Sequence, residues 1–208
     1  MSHDRNCDDG SVGLNLALLV YTEGSLLNLG RPVDRDLADV ARILFPRTPY
    51  IHVGRAPLDE CAFPERGCFT LGAFEGGLIL GTRDAYLFNP TKLHQRYLKP
   101  ALASTVSLVT QRSTYDMFAF ARWENGQLRR SLSVNPVGQI WESVGEPEPF
   151  EAPFWSGRYP APSGYALPFH PLEMGDAALR SLLRLHVEGP PEPELIDIAT
   201  VIVDRFER

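Results

Sequence analysis

His170 and Asp116 are the two side chains of this sequence best suited to move a proton. His170 is flanked by Phe169 and Pro171 at the end of a proline-rich stretch. A histidine held in so restricted a loop can act as acid, base or ligand; a hydrogen-bonded structural histidine is the plainer alternative. Asp116, just ahead of the apolar run Met117–Ala121, is the second acid/base candidate. Arg122 and Arg129 are the candidates to bind charge, with Glu142 as their expected counter-ion, and Trp155 adds an aromatic surface. Together they would suit an anionic or aromatic small molecule. A solvated salt-bridge cluster of little energetic worth is the competing reading of the charged trio.

The stretch from Tyr115 to Trp155 must position these groups. Asn125-Gly126 between two apolar runs predicts a two-residue type I′ turn, because both central residues need positive φ. Trp123 then faces Leu128. This register puts Met117, Ala119, Ala121 and Trp123 on one face with Leu128, Arg130, Leu132 and Val134. Phe118, Phe120 and Arg122 fall on the other face with Arg129, Ser131 and Ser133. Arg122 lies across from Arg129, where like charges repel, so a countercharge is expected. Asn135-Pro136-Val137-Gly138 predicts a second turn. Pairing Asn135 with Gly138 brings Glu142 beside Ser131 on the arginine face, whereas a bulge would reverse the facing.

The surrounding chain reads as a series of strands and helices. Leu14–Tyr21 is apolar on almost every residue and predicts a strand covered on both faces. Pro32–Phe45 carries Val33, Leu37, Val40, Ala41 and Leu44 at helical spacing. Short strands are expected at Ile51–Gly54, at Cys68–Phe74 and Leu78–Thr82 around Glu75-Gly76-Gly77, at Thr105–Thr110 and at Ile198–Val203. Asn89-Pro90 predicts a helix start, with Leu93, Tyr97 and Leu98 turned inward. Asp176 is the expected cap of a helix carrying Leu179, Leu182, Leu183 and His186, stopped by Gly189 and Pro190. From Gly145 to Pro171, prolines alternate with Phe150, Phe154, Trp155, Tyr159, Tyr165 and Phe169. That composition predicts an ordered, extended strap packed on the sheet with Trp155 largely buried; a ligand groove is its functional alternative.

No Gly-x-Gly-x-x-Gly, Walker, Gly-x-Ser-x-Gly or His-Glu-x-x-His pattern is present. Cys61 and Cys68 are too far apart for a zinc knuckle, and His3, His52, His94, His170 and His186 are scattered. No metal and no cofactor is expected. Three cysteines, Cys7 included, fit reduced thiols better than a disulfide framework. The net charge of −6 argues against nucleic acid or an acidic membrane as partner. The longest apolar run is far short of the roughly 20 residues that span a bilayer, and no signal peptide is seen. A cytoplasmic location is expected.

Three segments, DMFAFARWENGQLRRSLSV, GEPEPFEAPFWSG and LPFHPLEMGDAAL, carry the patterns WENG-x-L-x-RSLS, GEP-x-PFE-x-P-x-W-x-G and LPFHPLE-x-G. In these the chain resembles an uncharacterised actinobacterial family, a domain of unknown function, with a weaker likeness at LALLVYTEG. The resemblance marks Ser113, Asp116, Trp123, Glu124, Gly126, Arg130, Trp155 and His170 as family features without assigning them a role. It also implies histidines in the strand before Asp116, at positions that here hold Val109 and Arg112.

The expected fold is α+β: one mostly antiparallel sheet of about six to eight strands, with three helices on one face. Residues 1–12 would form a mobile tail and residues 13–208 a single domain. The leading functional expectation is a non-catalytic binding or protein-interaction module that meets an unknown small molecule or protein through the strap and the arginine face. A small hydrolase or transferase using Asp116 or His170 is the alternative, and an acidic inhibitor or immunity-type protein is a third.

Overall fold

The computed structural model describes residues 14–24, 26–161, 163–187, 189–190 and 192–208. The expected tail, with His3 and Cys7, lies outside the described residues, as does Pro162 of the strap. In chain order the elements are β1 (Asn15–Thr22), β2 (Asn28–Pro32), α1 (Leu37–Leu44), β3 (Ile51–Pro57), α2 (Leu58–Cys61), β4 (Cys68–Glu75) and β5 (Gly77–Gly81). Three 3₁₀ turns between 83 and 98 lead to β6 (Thr105–Arg112), β7 (Met117–Glu124), β8 (Gln127–Asn135) and β9 (Gln139–Val144). The chain ends with α3 (Ala152–Trp155), α4 (Pro171–Leu183), β10 (Leu185–His186), β11 (Ile196–Asp197) and β12 (Ile202–Glu207).

Among the described residues ten strands form one antiparallel sheet in the order β3-β12-β4-β5-β1-β6-β7-β8-β9, with β2 pairing with β4 beyond the end of β12. The fold is α+β as expected, with more strands than expected. β1 lies between β5 and β6, and its interior residues are all buried, which explains its unbroken apolar run. On one face Leu16, Leu18 and Val20 join Phe118, Phe120, Leu132 and Val134 beneath Met174, Leu179 and Leu183 of α4. On the other, Ala17, Leu19 and Tyr21 join Leu80, Leu108 and Trp123 beneath Leu44 of α1 and Leu93, Tyr97 and Leu98 of the 3₁₀ segment. The helices therefore divide between the two faces instead of covering one. Each fully buried large side chain contributes roughly 1.5–3 kcal/mol, so both faces need their cover.

Several elements differ from their expected bounds. α1 begins only after Asp36, whose carboxylate caps the Asp39 amide, because the preceding residues run along β4 as β2 and its extension. Asn89-Pro90 starts a 3₁₀ turn, not a full helix, although Leu93, Tyr97 and Leu98 are buried as expected. α4 begins five residues before Asp176, with Pro171 in its first turn, and ends where Arg184 adopts a left-handed conformation at φ 53. His186 consequently sits in β10, not on a helix stripe. The last strand is displaced to Ile202–Glu207, behind a 3₁₀ turn over Ile198–Thr200.

Candidate functional site

The Asn125-Gly126 turn forms as expected, with φ of 50 and 74 and Trp123 opposite Leu128. One residue further the register changes. Arg129 is an extra residue in β8, so Arg122 pairs with Arg130 and Phe120 with Leu132. This bulge reverses the facing of β8. Leu132 and Val134 join Phe118 and Phe120, and Arg130 is carried to the interior.

Arg130 is 2% exposed and its partner Glu151 is 0% exposed. Arg130 Nε donates to Glu151 Oε1 at 2.8 Å and its Nη2 to Oε2 at 2.6 Å, a bidentate pair. Arg130 Nη1 donates to Ser143 Oγ, Val144 O and Gly145 O at 3.1–3.2 Å. Glu151 also accepts from the Glu148 amide at 2.9 Å and from Trp155 Nε1 at 3.2 Å. The strap is thus fastened to β8 through one buried charge pair. It is not extended, since it turns through α3. Phe154 is buried there, whereas Trp155 is only half-buried against Phe169 at 4.7 Å.

The predicted counter-ion is displaced. Among the described residues Glu142 binds no arginine: its carboxylate accepts from Ser131 Oγ, from the Thr91 amide at 3.0 Å and from Thr91 Oγ1 at 2.6 Å. The cause is the Arg129 bulge, which turns Ser131 and Ser133 to the face of Ala119 and Ala121, away from Arg122. Glu142 stays with them, because the longer turn, in which Asn135 pairs with Gln139, and a second bulge at Trp141 together shift the pairing by two residues and keep its facing. Burial raises the Glu142 pKa, but the hydrogen bonds from Ser131 and Thr91 outweigh it and hold the carboxyl below its ordinary value. Arg122 meets Glu148 at 3.1 Å in an ionic contact not aligned as a hydrogen bond, and Glu124 at 3.5 Å. Arg129 meets Glu124 at 3.0 Å on the surface. The expected countercharge exists, but Glu124, Glu148 and Glu151 supply it.

Asp116 and His170 do come together, through a residue the sequence reading did not single out. Asp116 ends the Ser113–Tyr115 turn in a left-handed conformation at φ 45. Tyr165 Oη donates to Asp116 Oδ2 at 2.8 Å and lies 3.0 Å from His170 Nε2. The Leu172 amide donates to His170 Nδ1 at 3.3 Å, so the neutral ring carries its proton on Nε2. The chain therefore runs from His170 Nε2–H to the Tyr165 hydroxyl to the Asp116 carboxylate. Burial and the Asp116 carboxylate both raise the Tyr165 pKa. This arrangement ties the end of the strap to the β6–β7 turn. Both imidazole nitrogens and the tyrosine hydroxyl are engaged within it.

On the other face of the sheet, the same turn borders a pocket of about 600 Å³ at the end where β4, β6 and β7 meet their loops. Arg66, Arg83, Arg96 and Arg112 line it against Glu65 and Asp84. Four guanidinium groups against two carboxylates leave two positive charges in a chain whose net charge is −6. Arg96 is neutralised, since it pairs with Asp84, which also accepts from Tyr97 Oη at 2.6 Å. Arg83 is held by Nε donating to Pro64 O at 2.6 Å, and its guanidinium lies 4.6 Å from the Phe63 ring centre. Arg112 lies 4.3 Å from the same ring and 5.7 Å from that of Tyr86. Among the described residues its side chain has no hydrogen bond and no carboxylate partner, and its Nε is buried. Burial raises the Tyr86 pKa against the opposing pull of Arg112. Nothing local in the sequence marks this cluster; Arg112 emerged only as a position where the family resemblance implied histidine.

Cys61 and Cys68 are free thiols, and burial pushes Cys61 up to about 11. No helix among the described residues is long and apolar enough to cross a membrane.

These features define an α+β protein built on one two-sided antiparallel sheet, with a cationic, aromatic-lined pocket at one end. Residues 16–206 match the Family of unknown function (DUF6928), and the chain belongs to that family. No curated protein and no solved structure matches it.

Proposed function

We propose that this protein is a non-catalytic binding module that takes a small, oxyanion-bearing molecule in the arginine pocket. The observation that carries the reading is Arg112. It is a half-buried guanidinium stacked on Phe63, without a carboxylate partner among the described residues, at the wall of a 600 Å³ cavity. Packing on an aromatic face orients a guanidinium while leaving the donors in its own plane free for a carboxylate, phosphate or sulfonate. The charged face of Arg122, Arg129 and Arg130 supports binding less well, because its cations already have glutamate partners. The Asp116–Tyr165–His170 chain fits a positioning role better than proton transfer to a substrate, since its groups satisfy one another. The unbridged thiols Cys61 and Cys68 support a reducing, cytoplasmic setting.

The test is a thermal-shift and calorimetric screen of small carboxylates, phosphates and sulfonates beside neutral analogues, at low salt. Anions are expected to raise Tm and to lose affinity as salt rises. Arg112→Gln should remove the effect. Failure of every anion at millimolar concentration would overturn the reading.

A further inference from the structure

Resting on that reading, we infer that the ligand's head group is a phosphate monoester, bridged by Arg83 and Arg112. Both guanidinium carbons lie over one ring, at 4.6 and 4.3 Å from the centre of Phe63. They are therefore at most about 9 Å apart, the sum of those two distances. Two like charges at that separation repel, and neither has a carboxylate partner among the described residues. The nearby acid Asp84 is committed to Arg96 and Tyr97. A single anion seated between the two arginines relieves the repulsion only if it offers oxygens to both.

The head-group chemistry follows from counting charges and lone pairs. A carboxylate carries one charge and two oxygens, and one guanidinium fork satisfies it. A phosphate monoester carries nearly two charges at pH 7 and three terminal oxygens, enough for two forks. Both arginines are held in advance, Arg83 by the Pro64 carbonyl and Arg112 by Phe63 and Tyr86, so little side-chain freedom is lost on binding. The organic part has a surface to rest on: Tyr115, on the same pocket wall, is 56% exposed. A ring attached through the ester oxygen can stack there.

The experiment is isothermal titration calorimetry of the full chain with phenyl phosphate, inorganic phosphate, phenyl sulfate and benzoate. Phenyl phosphate is expected to bind at least about tenfold more tightly than benzoate or phenyl sulfate, a difference of about 1.4 kcal/mol. Inorganic phosphate should be weaker than phenyl phosphate and should still compete with it. Arg83→Gln and Arg112→Gln should each weaken phenyl phosphate about tenfold or more. Arg83 is exposed, so its variant should keep the unliganded Tm. Equal affinity for benzoate and phenyl phosphate, or full phenyl phosphate affinity in Arg83→Gln, would overturn the bridged monoester and leave the anion pocket standing. No binding of any of the four would overturn both.

Discussion

Glu151→Gln tests whether the buried charge pair holds the strap to the sheet. The substitution keeps shape and removes charge. Arg130 would retain Ser143, Val144 and Gly145 but would lose the carboxylate that meets it at 2.6 and 2.8 Å. The glutamine amide can accept from one arginine nitrogen, but its own N–H groups then face donors, Arg130 together with either the Glu148 amide or the Trp155 indole. Removing one partner from a buried pair costs about 3–5 kcal/mol, because the remaining charge is uncompensated. With a urea m-value of about 2 kcal/mol per molar, the midpoint should fall by about 1.5–2.5 M. Tryptophan fluorescence suits the assay, since Trp155 Nε1 itself donates to Glu151. Arg130→Met should cost a similar amount. The double variant Arg130→Met/Glu151→Leu should cost less than the sum of Arg130→Met and Glu151→Leu by about 2–3 kcal/mol. A loss under about 1 kcal/mol for Glu151→Gln, or strict additivity in the cycle, would refute the account of Arg130 and Glu151 as one unit.

Other variants separate the remaining contacts. Trp155→Ala should cost about 2–3 kcal/mol, below the 3–5 of a fully buried aromatic, because the ring is half-buried; chemical denaturation measures it. Gly145→Ala should cost at least about 2 kcal/mol, because φ is 79 and a β-carbon would meet the Arg129 carbonyl oxygen. Tyr165→Phe should lower stability by about 1 kcal/mol and speed proteolysis around residues 159–169, with no comparable change elsewhere. Glu142→Gln should cost about 1–2 kcal/mol at neutral pH, after discounting its hydrogen bonds for partial exposure. Its folded pKa is lowered, so the stability it supplies is present above the ordinary glutamate value of about 4.3 and is lost as pH falls through the folded value. Denaturation curves of Glu142→Gln should accordingly show a shallower fall below about pH 4.3 than those of the parent.

What the sequence disclosed was what adjacent residues decide. β1 was legible because an unbroken apolar run needs two covered faces. The Asn125-Gly126 hairpin was legible because the turn chemistry requires positive φ at both positions. The register beyond it was not, because a single inserted residue, Arg129, exchanges the two faces without leaving a mark in composition. Arg130 was expected on the face of Leu128 and Leu132, and it is the pivot of the strap. α4 was misplaced for a related reason. Asp176 has the residue type of a cap, yet His170 and Pro171 together start the helix, and Gln111 holds Asp176 from β6 at 2.9 Å.

The pocket was invisible for a topological reason. Phe63 follows α2, Arg83 and Tyr86 follow β5, Arg96 lies in a 3₁₀ turn, and Arg112 closes β6. None is within ten residues of all the others, and none forms a motif. They meet because β5 and β6 both pair with β1, delivering Gly81 and Arg112 to the same end of the sheet, while Phe63 enters from the loop before β4. The chain's net charge of −6 pointed away from nucleic acid and acidic membranes. A whole-chain charge sets the far field, which salt screens beyond about 10 Å. At contact distance the charge is what a few guanidinium groups make it, and at this end of the sheet three of them, Arg66, Arg83 and Arg112, stand without carboxylate partners among the described residues. The inference from acidity to partner therefore bears only on extended polyanions, which need a wide basic surface, and does not reach a small anion that fits within a single cavity.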